Sequence, residues 1–507
     1  MRLLALISTF VCYASWVIDA KRILAGYPPD SLSHLYSMQA YLEGLADVGH
    51  EVTILQVAGA VNEVKFSHPN ITNLVIKVEA EIDIVEMVNT FLWKSTSHAV
   101  EPPVVLVTVE KFVNRIIDDY SDALLKLLNE KWDLVVVEQL FDPFLYAIAT
   151  YHKRVYGTPY VQYCSSHPLE SDAIANGIGR SWAAKMSLFI PIPRDSFDVY
   201  QASLFGERVV NFGEHFADFF MHTYAHWWTF SGMKRLGLMP FSMKTLNDDS
   251  SLYMSDLFRG FDFGAEAHDF RLVGSYCKPA KALDPKFEEF VGDKNSKGTI
   301  YMAFGSVVDW RTAPRRIVRS IFGALNELTD YRIIVSTKAP PEDMNLGSHV
   351  MLTKWAPQIP LLSDSRTRVF ISHGGLKSVK EAICGKTPVT YLPLFAEQAH
   401  NSRQMVKLGV ATMVNKYTIS KEVVLRELQK ILNNPRYQER ANKFYAQYID
   451  HPVPTIESAV HLTNRIIRKK GKDLWFKRKS RQLSWINFTY APLIALFVVT
   501  FCLVNHK

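Results

Sequence analysis

Short apolar runs alternate with stretches of helical spacing through the first third of the chain. The runs predict buried strands at Arg22–Gly26, Glu51–Gln56, Asp133–Val137 and Thr158–Tyr163. Between the first two strands, apolar residues recur at the spacing of one helix face across Ser33–Val48. A strand, a helix and a second strand in this order form a βαβ unit, so the sheet is predicted to be parallel.

The second half of the chain repeats this alternation. It predicts strands at Gly298–Phe304, Tyr331–Ser336, His349–Leu352, Val369–Ser372 and Thr387–Pro393. Helical spacing covers Pro314–Leu328, and a second helix opens at the His-Gly-Gly turn 373–375 and continues through Ile383. The fold class is therefore α/β, with two domains that leave a cleft between them and a boundary near Pro279–Pro285. Ligands of such sheets bind at the C-terminal ends of the strands.

Residues 182–258 differ from both halves because they are rich in aromatic side chains. These include Phe212, Phe216, Phe219, Phe220, Tyr224, Trp227, Trp228 and Phe230. Three interpretations stay open: a helical core, an apolar pocket, or a surface in contact with lipid. His222 and His226 stand four residues apart, as metal ligands on a helix do. Neither a Glu beside the first His nor a third ligand is evident, so a metal site is disfavoured.

Both ends of the chain carry apolar segments. Residues 1–20 have a basic start, an apolar stretch and a small residue before Lys21, which is typical of a signal peptide. Residues 484–504 suit one transmembrane helix, preceded by a basic juxtamembrane flank at 471–483 and followed by a cytosolic tail at 505–507. A cleaved leader places the two domains in the lumen and predicts a single-pass type I protein. The basic flank alone would favour the opposite orientation.

Composition narrows the class of protein. The 507 residues are 48% hydrophobic, which is enough for two buried cores. The net charge of +7 is concentrated near the C-terminus, and no basic stripe interleaved with aromatics indicates nucleic-acid binding. Cys164, Cys277 and Cys384 lie outside the two terminal segments; we take this odd set to exclude a disulfide framework, and no Cys-x-x-Cys pair suggests zinc. Asn70 begins a triplet that would accept a glycan in the lumen.

An anion site is predicted at the start of a helix in the second half. The strand that ends in His373-Gly374-Gly375 runs into this helix and offers backbone N–H groups and the positive helix end to a pyrophosphate. Neither the dinucleotide fingerprint nor the ATP-binding loop is present. No Asp-x-Asp motif is present either, so a metal-bridged diphosphate is disfavoured.

Polar residues around this turn complete a candidate nucleotide site. Glu381, two turns into the helix, could accept hydrogen bonds from a ribose. Glu397 and Gln398 follow the next strand and reach the same cleft, because parallel strands end at one edge of the sheet. Trp355 offers a stacking face for a base, and Gln358 offers a polar edge.

This ordered set resembles the UDP-glycosyltransferase family, specifically the membrane UDP-glucuronosyltransferases of animals. The matching residues are Cys277–Lys281, Trp355, Pro357, Gln358, Phe370–Gly375, Ser378, Glu381, Gly385, Pro388, Pro393, Glu397, Gln398 and Asn401. The resemblance covers nearly the whole chain. It implies a fold of the GT-B type, with two Rossmann-like domains facing a cleft plus one C-terminal transmembrane helix. Residues 21–280 would bind the acceptor and residues 281–470 the UDP-sugar.

The resemblance also implies roles for the donor residues. Trp355 would stack on uracil, and Gln358 and Glu381 would bind the nucleoside. The phosphates would be held by Ser306, His373, Gly374, Gly375, Lys377 and Ser378. Glu397 and Gln398 would hold the sugar hydroxyls. The transfer would invert the anomeric carbon without a metal and without a cofactor, since the UDP-sugar is itself the donor substrate.

On the acceptor side, His34 lies in a segment that resembles the family's catalytic-histidine segment. A His at a helix N-terminus is biased toward the neutral form, which a general base needs. It would take the acceptor hydroxyl proton as that oxygen attacks the anomeric carbon and UDP departs. The resemblance places an orienting carboxylate after the strand Leu134–Val137. Glu138 stands there and Asp142 lies one helical turn on, so either could orient His34.

Three positions depart from the family pattern. Glu138 stands in place of Asp, Lys377 in place of Asn beside the phosphates, and Glu397 in place of Asp near the sugar. Arg259 is only near the region where an Arg would pair with a glucuronate carboxylate. UDP-glucuronic acid and UDP-glucose therefore both stay open as donors.

The resemblance thus implies a UDP-glycosyltransferase of the endoplasmic reticulum membrane, most simply a glucuronosyltransferase that serves detoxification by conjugating small lipophilic acceptors. The alternatives are a UDP-glucosyltransferase with the same mechanism, a transferase acting on a membrane lipid, and a catalytically impaired relative that binds lipophilic ligands. The substitutions at 138 and 397 motivate the last of these. The acceptor's identity and a homo- or hetero-oligomeric state stay open.

Overall fold

A computed structural model of the chain describes residues 20–505 except 30, 59–63, 65, 80–83, 97–102, 141, 179–184, 190–199, 229, 262–265, 339–344, 473–480, 482 and 489. The first half builds a sheet from β1 (Arg22–Gly26), β2 (Glu51–Ala58), β3 (Ile71–Lys77), β4 (Leu134–Glu138), β5 (Tyr160–Cys164), β6 (Leu252–Ser255) and β7 (Phe270–Leu272). The order is β3-β2-β1-β4-β5-β6-β7, and every ladder is parallel. The order reverses between β1 and β4, which opens a crevice beyond their C-terminal ends.

Helices cover this sheet. They are α1 (Leu32–Asp47), α2 (Ile84–Leu92), α3 (Pro103–Asp119), α4 (Ser121–Asn129), α5 (Pro143–Tyr156), α6 (Glu170–Ala175), α7 (Phe205–Trp228), α8 (Ser231–Arg235) and α9 (Met243–Asp249). The strands carry continuous apolar runs because both faces of the sheet are covered. β1 and β4 are accordingly buried almost throughout.

The second half builds a sheet of its own. Its strands are β8 (Thr299–Ala303), β9 (Arg332–Ser336), β10 (Val350–Thr353), β11 (Thr367–Ser372), β12 (Val389–Tyr391) and β13 (Ala411–Met413), in the parallel order β10-β9-β8-β11-β12-β13. The order reverses between β8 and β11. The loops after these two strands carry Gly305-Ser306 and His373–Gly375, so the predicted anion turn lies at a switch point.

The helices of the second half are α10 (Pro285–Val291), α11 (Arg315–Glu327), α12 (Gln358–Ser363), α13 (Leu376–Gly385), α14 (Gln398–Lys407), α15 (Lys421–Leu432), α16 (Arg436–Ile449) and α17 (Thr455–Arg468). The last of these returns to the first sheet and packs on α1. There the Tyr41 hydroxyl lies 2.8 Å from Thr463 Oγ1, and His50 Nε2 contacts Asn464. The chain therefore crosses between the two sheets twice.

The strands and helices predicted for the two α/β domains are all present, with ends that differ by no more than three residues. Four strands were not predicted: β3, β6, β7 and β13. Three of these lie at sheet edges, where polar residues interrupt the apolar run or only three residues pair. The prediction of two parallel α/β sheets is confirmed.

Many of the aromatic residues of the stretch 182–258 lie on α7, and this helix buries mainly polar side chains and exposes aromatic ones. Among its described side chains the buried ones are Asn211, His215, Asp218, His222 and Ala225, four of which are polar. Its outer face carries side chains that are 47–73% exposed: Phe205, Phe212, Phe216, Phe220 and Tyr224. The interpretation as helical core is therefore wrong for Phe212, Phe216, Phe220 and Tyr224, whereas Phe230, just after α7, is buried in the core of the first domain.

Most of the predicted terminal features lie outside the described residues. This applies to the leader up to residue 19, most of the basic flank 471–483 and the last two residues. Arg481, at the end of that flank, is buried against Asp269 at 2.6 Å. Two short helices follow, α18 (Trp485–Phe488) and α19 (Ala491–Asn505). Within the part of the chain that the structure describes, no helix combines the length and apolar character needed to cross a membrane.

The expectation about disulfides is wrong. Cys277, in the segment between the sheets, is bonded to Cys384 near the end of α13, and Cys164 is a buried free thiol. An odd number of cysteines excludes complete pairing, but it does not exclude a single bridge. The pairing depends on the return of the chain after 107 residues, which the spacing alone does not reveal.

Candidate active site

His34 lies in the first turn of α1, at the edge of the first sheet where β4 and β5 end. Its Nδ1 is 2.9 Å from Ser165 Oγ and 3.3 Å from Glu138 Oε1. Glu138 is the last residue of β4, and Ser165 directly follows β5. Three segments that are far apart in sequence therefore converge on one imidazole. The His34 side chain is 18% exposed, whereas that of Glu138 is fully buried.

The Glu138 carboxylate is held at both oxygens. Oε1 accepts hydrogen bonds from the Ser165 backbone N–H at 3.2 Å and from its hydroxyl at 2.8 Å, and Oε2 accepts from the Leu140 N–H at 3.0 Å. Burial alone would raise the pKa of Glu138. The attraction of His34 and the hydrogen bonds from Ser165 outweigh burial and lower this pKa. The carboxylate is therefore charged at neutral pH and fixed in position.

These contacts assign the tautomer of His34. Because Ser165 donates its hydroxyl proton to Glu138, the Ser165 oxygen accepts a hydrogen bond from His34 Nδ1–H. We assign the proton of the neutral imidazole to Nδ1 on this network, which makes Nε2 the nitrogen that takes a proton.

The protonation of His34 differs from the expectation. Burial lowers the pKa of His34, but the coulombic attraction and hydrogen bond of Glu138 outweigh it, so the pKa is raised. The helix N-terminus was expected to favour the neutral form. That expectation is wrong because a carboxylate at hydrogen-bond distance exerts a stronger field than the helix end.

Asp142 has a different task. It caps α5, where its Oδ1 accepts the Leu145 N–H at 3.0 Å. Burial raises the pKa of Asp142 to about 7. Of the two carboxylates proposed to orient His34, the structure brings Glu138 into contact with it and leaves Asp142 at the helix N-terminus.

Four of the predicted donor residues form one cluster on α12 and α13. Gln358 Nε2 contacts Glu381 Oε2 and lies 3.3 Å from Ser378 Oγ. Lys377 Nζ lies 2.6 Å from Glu381 Oε1. On the opposite side, the Tyr301 hydroxyl donates to Gln358 Oε1 at 3.1 Å. The cluster therefore presents a carboxylate, an amide and a cation beside the first turn of α13.

The turn before α13 is tightly closed. Gly374 has φ +93°, and a Cβ there would come within 2.5 Å of Ser402 Oγ. Gly305 has φ +73°, and a Cβ there would lie 3.2 Å from the His373 ring. The loop of Gly305 and exposed Ser306 therefore lies against the His-Gly-Gly turn, where only glycine fits. Burial lowers the pKa of His373 to about 4, so its imidazole is neutral.

The remaining donor candidates differ in how they are placed. The Trp355 ring is 77% exposed and open to stacking. Burial raises the pKa of Glu397. Gln398 is buried, and its Oε1 accepts the N–H groups of Leu394 at 2.9 Å and Phe395 at 3.3 Å. This oxygen therefore holds the loop before Glu397.

The two halves of the site face each other. The negative charge of Glu397, from the second domain, contributes to raising the pKa of His34 in the first. Lys377 Nζ lies 5.9 Å from the centre of the Tyr36 ring, two residues after His34. His34 and the cluster on α12 and α13 therefore line one cleft between the domains.

Sequence reasoning missed Ser165. The one signal that pointed to it was its position immediately after a buried strand of the sheet. As for metals, the described residues contain no group of three His, Cys, Asp or Glu side chains that could hold an ion. His222 Nδ1 lies 2.7 Å from Asp218 Oδ1, and the His226 side chain lies outside the described residues.

Two parallel α/β sheets, with His34 and the His-Gly-Gly turn on opposite sides of the cleft, form a GT-B-like glycosyltransferase fold. The family model described as "UDP-glucoronosyl and UDP-glucosyl transferase" matches residues 24–505, and the chain belongs to this family.

Among curated relatives, UDP-glucuronosyltransferase 2A3 of Cavia porcellus is 26% identical over 493 residues, or 93% of this chain and 89% of the relative. UDP-glucuronosyltransferase 2B1 of Rattus norvegicus is 32% identical over 239 residues, 47% of this chain and 44% of the relative. Among solved structures, a UDP-glucosyltransferase from Polygonum tinctorium has a TM-score of 0.56 at 13% identity, covering 89% of this chain and 99% of that one. The glycotransferase of kitacinnamycin has a TM-score of 0.58 at 14% identity, covering 88% and 99%.

Proposed function

We propose that the protein transfers the sugar of a UDP-sugar to a hydroxyl of a small lipophilic acceptor, with His34 as general base. The observation that carries this proposal is the contact of His34 Nδ1 with Glu138 and Ser165. In this arrangement a buried carboxylate orients an imidazole and stabilises the imidazolium that forms, which is the logic of a catalytic triad.

The proposed reaction is a single displacement. His34 Nε2 takes the proton of the acceptor hydroxyl while the oxygen forms a bond to the anomeric carbon. The bond from that carbon to the β-phosphate oxygen breaks, and UDP leaves with the bonding electrons. The anomeric carbon is inverted because the acceptor attacks from the face opposite UDP. No metal and no cofactor takes part.

The donor cluster supplies charge for the leaving UDP. The N–H groups at the start of α13 and the Lys377 ammonium would stabilise the diphosphate. Trp355 would stack on uracil, Gln358 and Glu381 would bind the nucleoside, and Ser306, His373 and Ser378 would serve the phosphates. Glu397 and Gln398 would hold the sugar hydroxyls.

We propose UDP-glucuronic acid as the donor, in line with the curated relatives. UDP-glucose is the second candidate, and a specific contact favours it. Arg259, the nearest candidate partner for a glucuronate carboxylate, is paired with Glu266 at 2.8 Å and is half exposed. A guanidinium engaged in this way would have to exchange partners to bind the sugar.

We propose that the domains lie in the lumen of the endoplasmic reticulum, behind a cleaved leader and a C-terminal anchor. The Cys277–Cys384 bridge supports an oxidising compartment. The exposed aromatic face of α7 supports contact with a bilayer, since α7 packs on α6 and α18 of the C-terminal segment contacts α6 as well.

The function can be tested by turnover in microsomes. A panel of phenols and steroids is incubated with UDP-glucuronic acid and, in parallel, with UDP-glucose. We expect conjugates with one donor, and we expect them to disappear in His34→Ala while that variant still binds UDP. Absence of product with both donors, despite measurable UDP binding, would instead support a lipid acceptor or a catalytically impaired relative.

A further inference from the structure

A buried ion pair joins α13, the helix of the donor cluster (here the donor helix), to the first domain, which is the proposed acceptor domain. Lys380 lies on α13, and its Nζ is 2.6 Å from Oδ1 of Asp256, which follows β6 in the first sheet. Lys380 is 5% exposed and Asp256 is fully buried. The pair lies directly behind the donor cluster, because Lys380 stands between Ser378 and Glu381 on the same helix.

Two tyrosines extend this pair to the helix of the base. The Tyr163 hydroxyl lies 3.0 Å from both Asp256 Oδ1 and the Ser37 carbonyl oxygen. The Tyr276 ring lies under Lys380, with 4.2 Å from Nζ to the ring centre, and its hydroxyl donates to the same Ser37 oxygen at 3.3 Å. Ser37 belongs to α1, one turn after His34. A continuous chain of polar contacts therefore runs from the donor helix to the base helix.

The free energy needed to desolvate the Lys380–Asp256 pair indicates that the pair does more than hold the domains together. Taking an ammonium and a carboxylate out of water is unfavourable, and two apolar side chains of similar volume would join the domains without that penalty. One turn further along α13, Cys384 already ties the helix covalently to Cys277. What the ion pair adds to the disulfide is a second restraint on the domain arrangement, since a shift of α13 that separates Lys380 from Asp256 would leave two buried charges unpaired.

We propose that Lys380 and Asp256 are positioning residues that fix the position and orientation of the donor helix relative to His34. This inference rests on the proposed transferase function. Inverting displacement needs the anomeric carbon, the acceptor oxygen and the base in line, and an error of about 1 Å costs on the order of a hundredfold in rate. The Lys380 ammonium is hydrogen-bonded to Asp256, whereas Gln358 and Glu381 are hydrogen-bonded to each other, so removal of the ion pair should disturb alignment more than binding.

The first experiment measures kcat, donor KM and UDP affinity for Lys380→Met, Asp256→Asn and the double variant. Asp256→Asn keeps an oxygen for Tyr163, and the double variant leaves no buried charge unpaired, which guards against failure to fold. Lys421→Met is the matched control, because it removes a lysine from an exposed pair with Glu327. We expect kcat to fall about tenfold in each single variant, UDP affinity to stay within about threefold, and the double variant to be no worse than the poorer single.

The second experiment needs no turnover. Amide hydrogen exchange of residues 32–38 in α1 is compared with and without UDP. We expect UDP to slow exchange in the wild type and in Lys421→Met, and to have no effect on these amides in Lys380→Met. If UDP slows exchange in the wild type but no product forms, the transferase function is refuted, while the positioning role of the Lys380–Asp256 pair is still supported. The positioning role of the Lys380–Asp256 pair would be contradicted if Lys380→Met kept both the wild-type kcat and the slowing of exchange by UDP. It would also be contradicted if the kcat losses of the single variants multiplied in the double variant.

Discussion

The donor half and the base half of the cleft are built in opposite ways. The donor cluster comes from two neighbouring helices, and its members Gln358, Lys377 and Glu381 follow one another closely along the chain. The base half comes from three remote segments, since Ser165 and His34 are 131 residues apart in sequence. A site assembled locally can be recognised from spacing, whereas one assembled by the sheet becomes visible only when the strand order is known.

The two halves also differ in their carboxylates. Glu381 is paired with Lys377, whose side chain is 43% exposed, and belongs to the proposed donor site. Glu138 is fully buried; it contacts His34 and accepts hydrogen bonds from Ser165 and from the Leu140 N–H. Loss of the first should therefore weaken donor binding, whereas loss of the second should abolish chemistry. The predictions below test this division, beginning with the largest effect.

Glu138→Gln should lower kcat by roughly 10²–10⁴-fold with little change in UDP affinity, because the amide no longer stabilises the imidazolium. Asp142→Asn is the matched control, since it keeps an oxygen to cap α5 and does not alter the contacts of His34. The measurement is steady-state turnover with UDP affinity determined on the same preparation. Equal losses in the two variants would contradict the assignment of Glu138.

The pH dependence sharpens this prediction. His34 must be neutral to act as a base, and Glu138 raises its pKa above the ordinary 6.5. We expect kcat/KM to fall as the pH drops through this raised value. In Glu138→Gln the pKa of His34 should be lower, so the fall in the residual activity should move to lower pH. If the fall of kcat/KM in Glu138→Gln occurs at the same pH as in the wild type, or at a higher pH, the pairing of His34 with Glu138 is contradicted.

The same pair contributes to stability with a defined sign. The raised pKa of His34 means that the folded state holds the proton more tightly than the unfolded chain. This contribution is fully present below the unfolded pKa of His34 and is lost as the pH rises through the folded pKa.

Cys277→Ser should destabilise the protein by about 2–5 kcal/mol, because the bridge closes a long loop and ties α13 to the segment between the sheets. Thermal unfolding of this variant is compared with that of Cys164→Ser, which removes the buried free thiol instead. A smaller loss of stability in Cys277→Ser than in the control would indicate that the bridge does not form.

Glu381→Gln should weaken UDP binding by about tenfold, or about 1.4 kcal/mol, while kcat at saturating donor changes little. The variant removes the charge that pairs with Lys377 and weakens the contact with Gln358. Calorimetric titration with UDP gives the affinity. If kcat falls instead and the affinity is kept, the division between binding and chemistry is not supported.

The smallest effect on stability is expected for α7. Phe216→Ser with Phe220→Ser removes two aromatic side chains that are 53% and 56% exposed, so unfolding should change by no more than about 0.5 kcal/mol for each. Binding of the protein to phosphatidylcholine vesicles should nevertheless decline. Leu408→Ser removes an exposed apolar side chain elsewhere and serves as the control. Unchanged vesicle binding would contradict a lipid-facing α7.

The same comparison explains what could be predicted from the sequence. The strands and helices of both sheets were predictable because buried parallel strands read as continuous apolar runs. The donor candidates on α12 and α13 were predictable because strand, turn and helix follow one another directly. Ser165, Lys380 and the Cys277–Cys384 bridge were not, since each acquires its partner from a distant segment. For α7 the aromatic residues left a core, a pocket and a lipid-facing surface open, and the structure was needed to show which side chains are exposed.

The central claim is that His34, held by Glu138 and Ser165, activates the acceptor for attack on a UDP-sugar bound at α13. The most direct test is single-turnover transfer with enzyme in excess over the donor, for the wild type, His34→Ala and Glu138→Gln. UDP affinity is determined for all three. The account predicts equal UDP affinity, conjugate formation by the wild type, and loss of the transfer step in both variants. Transfer at the wild-type rate in His34→Ala would contradict it.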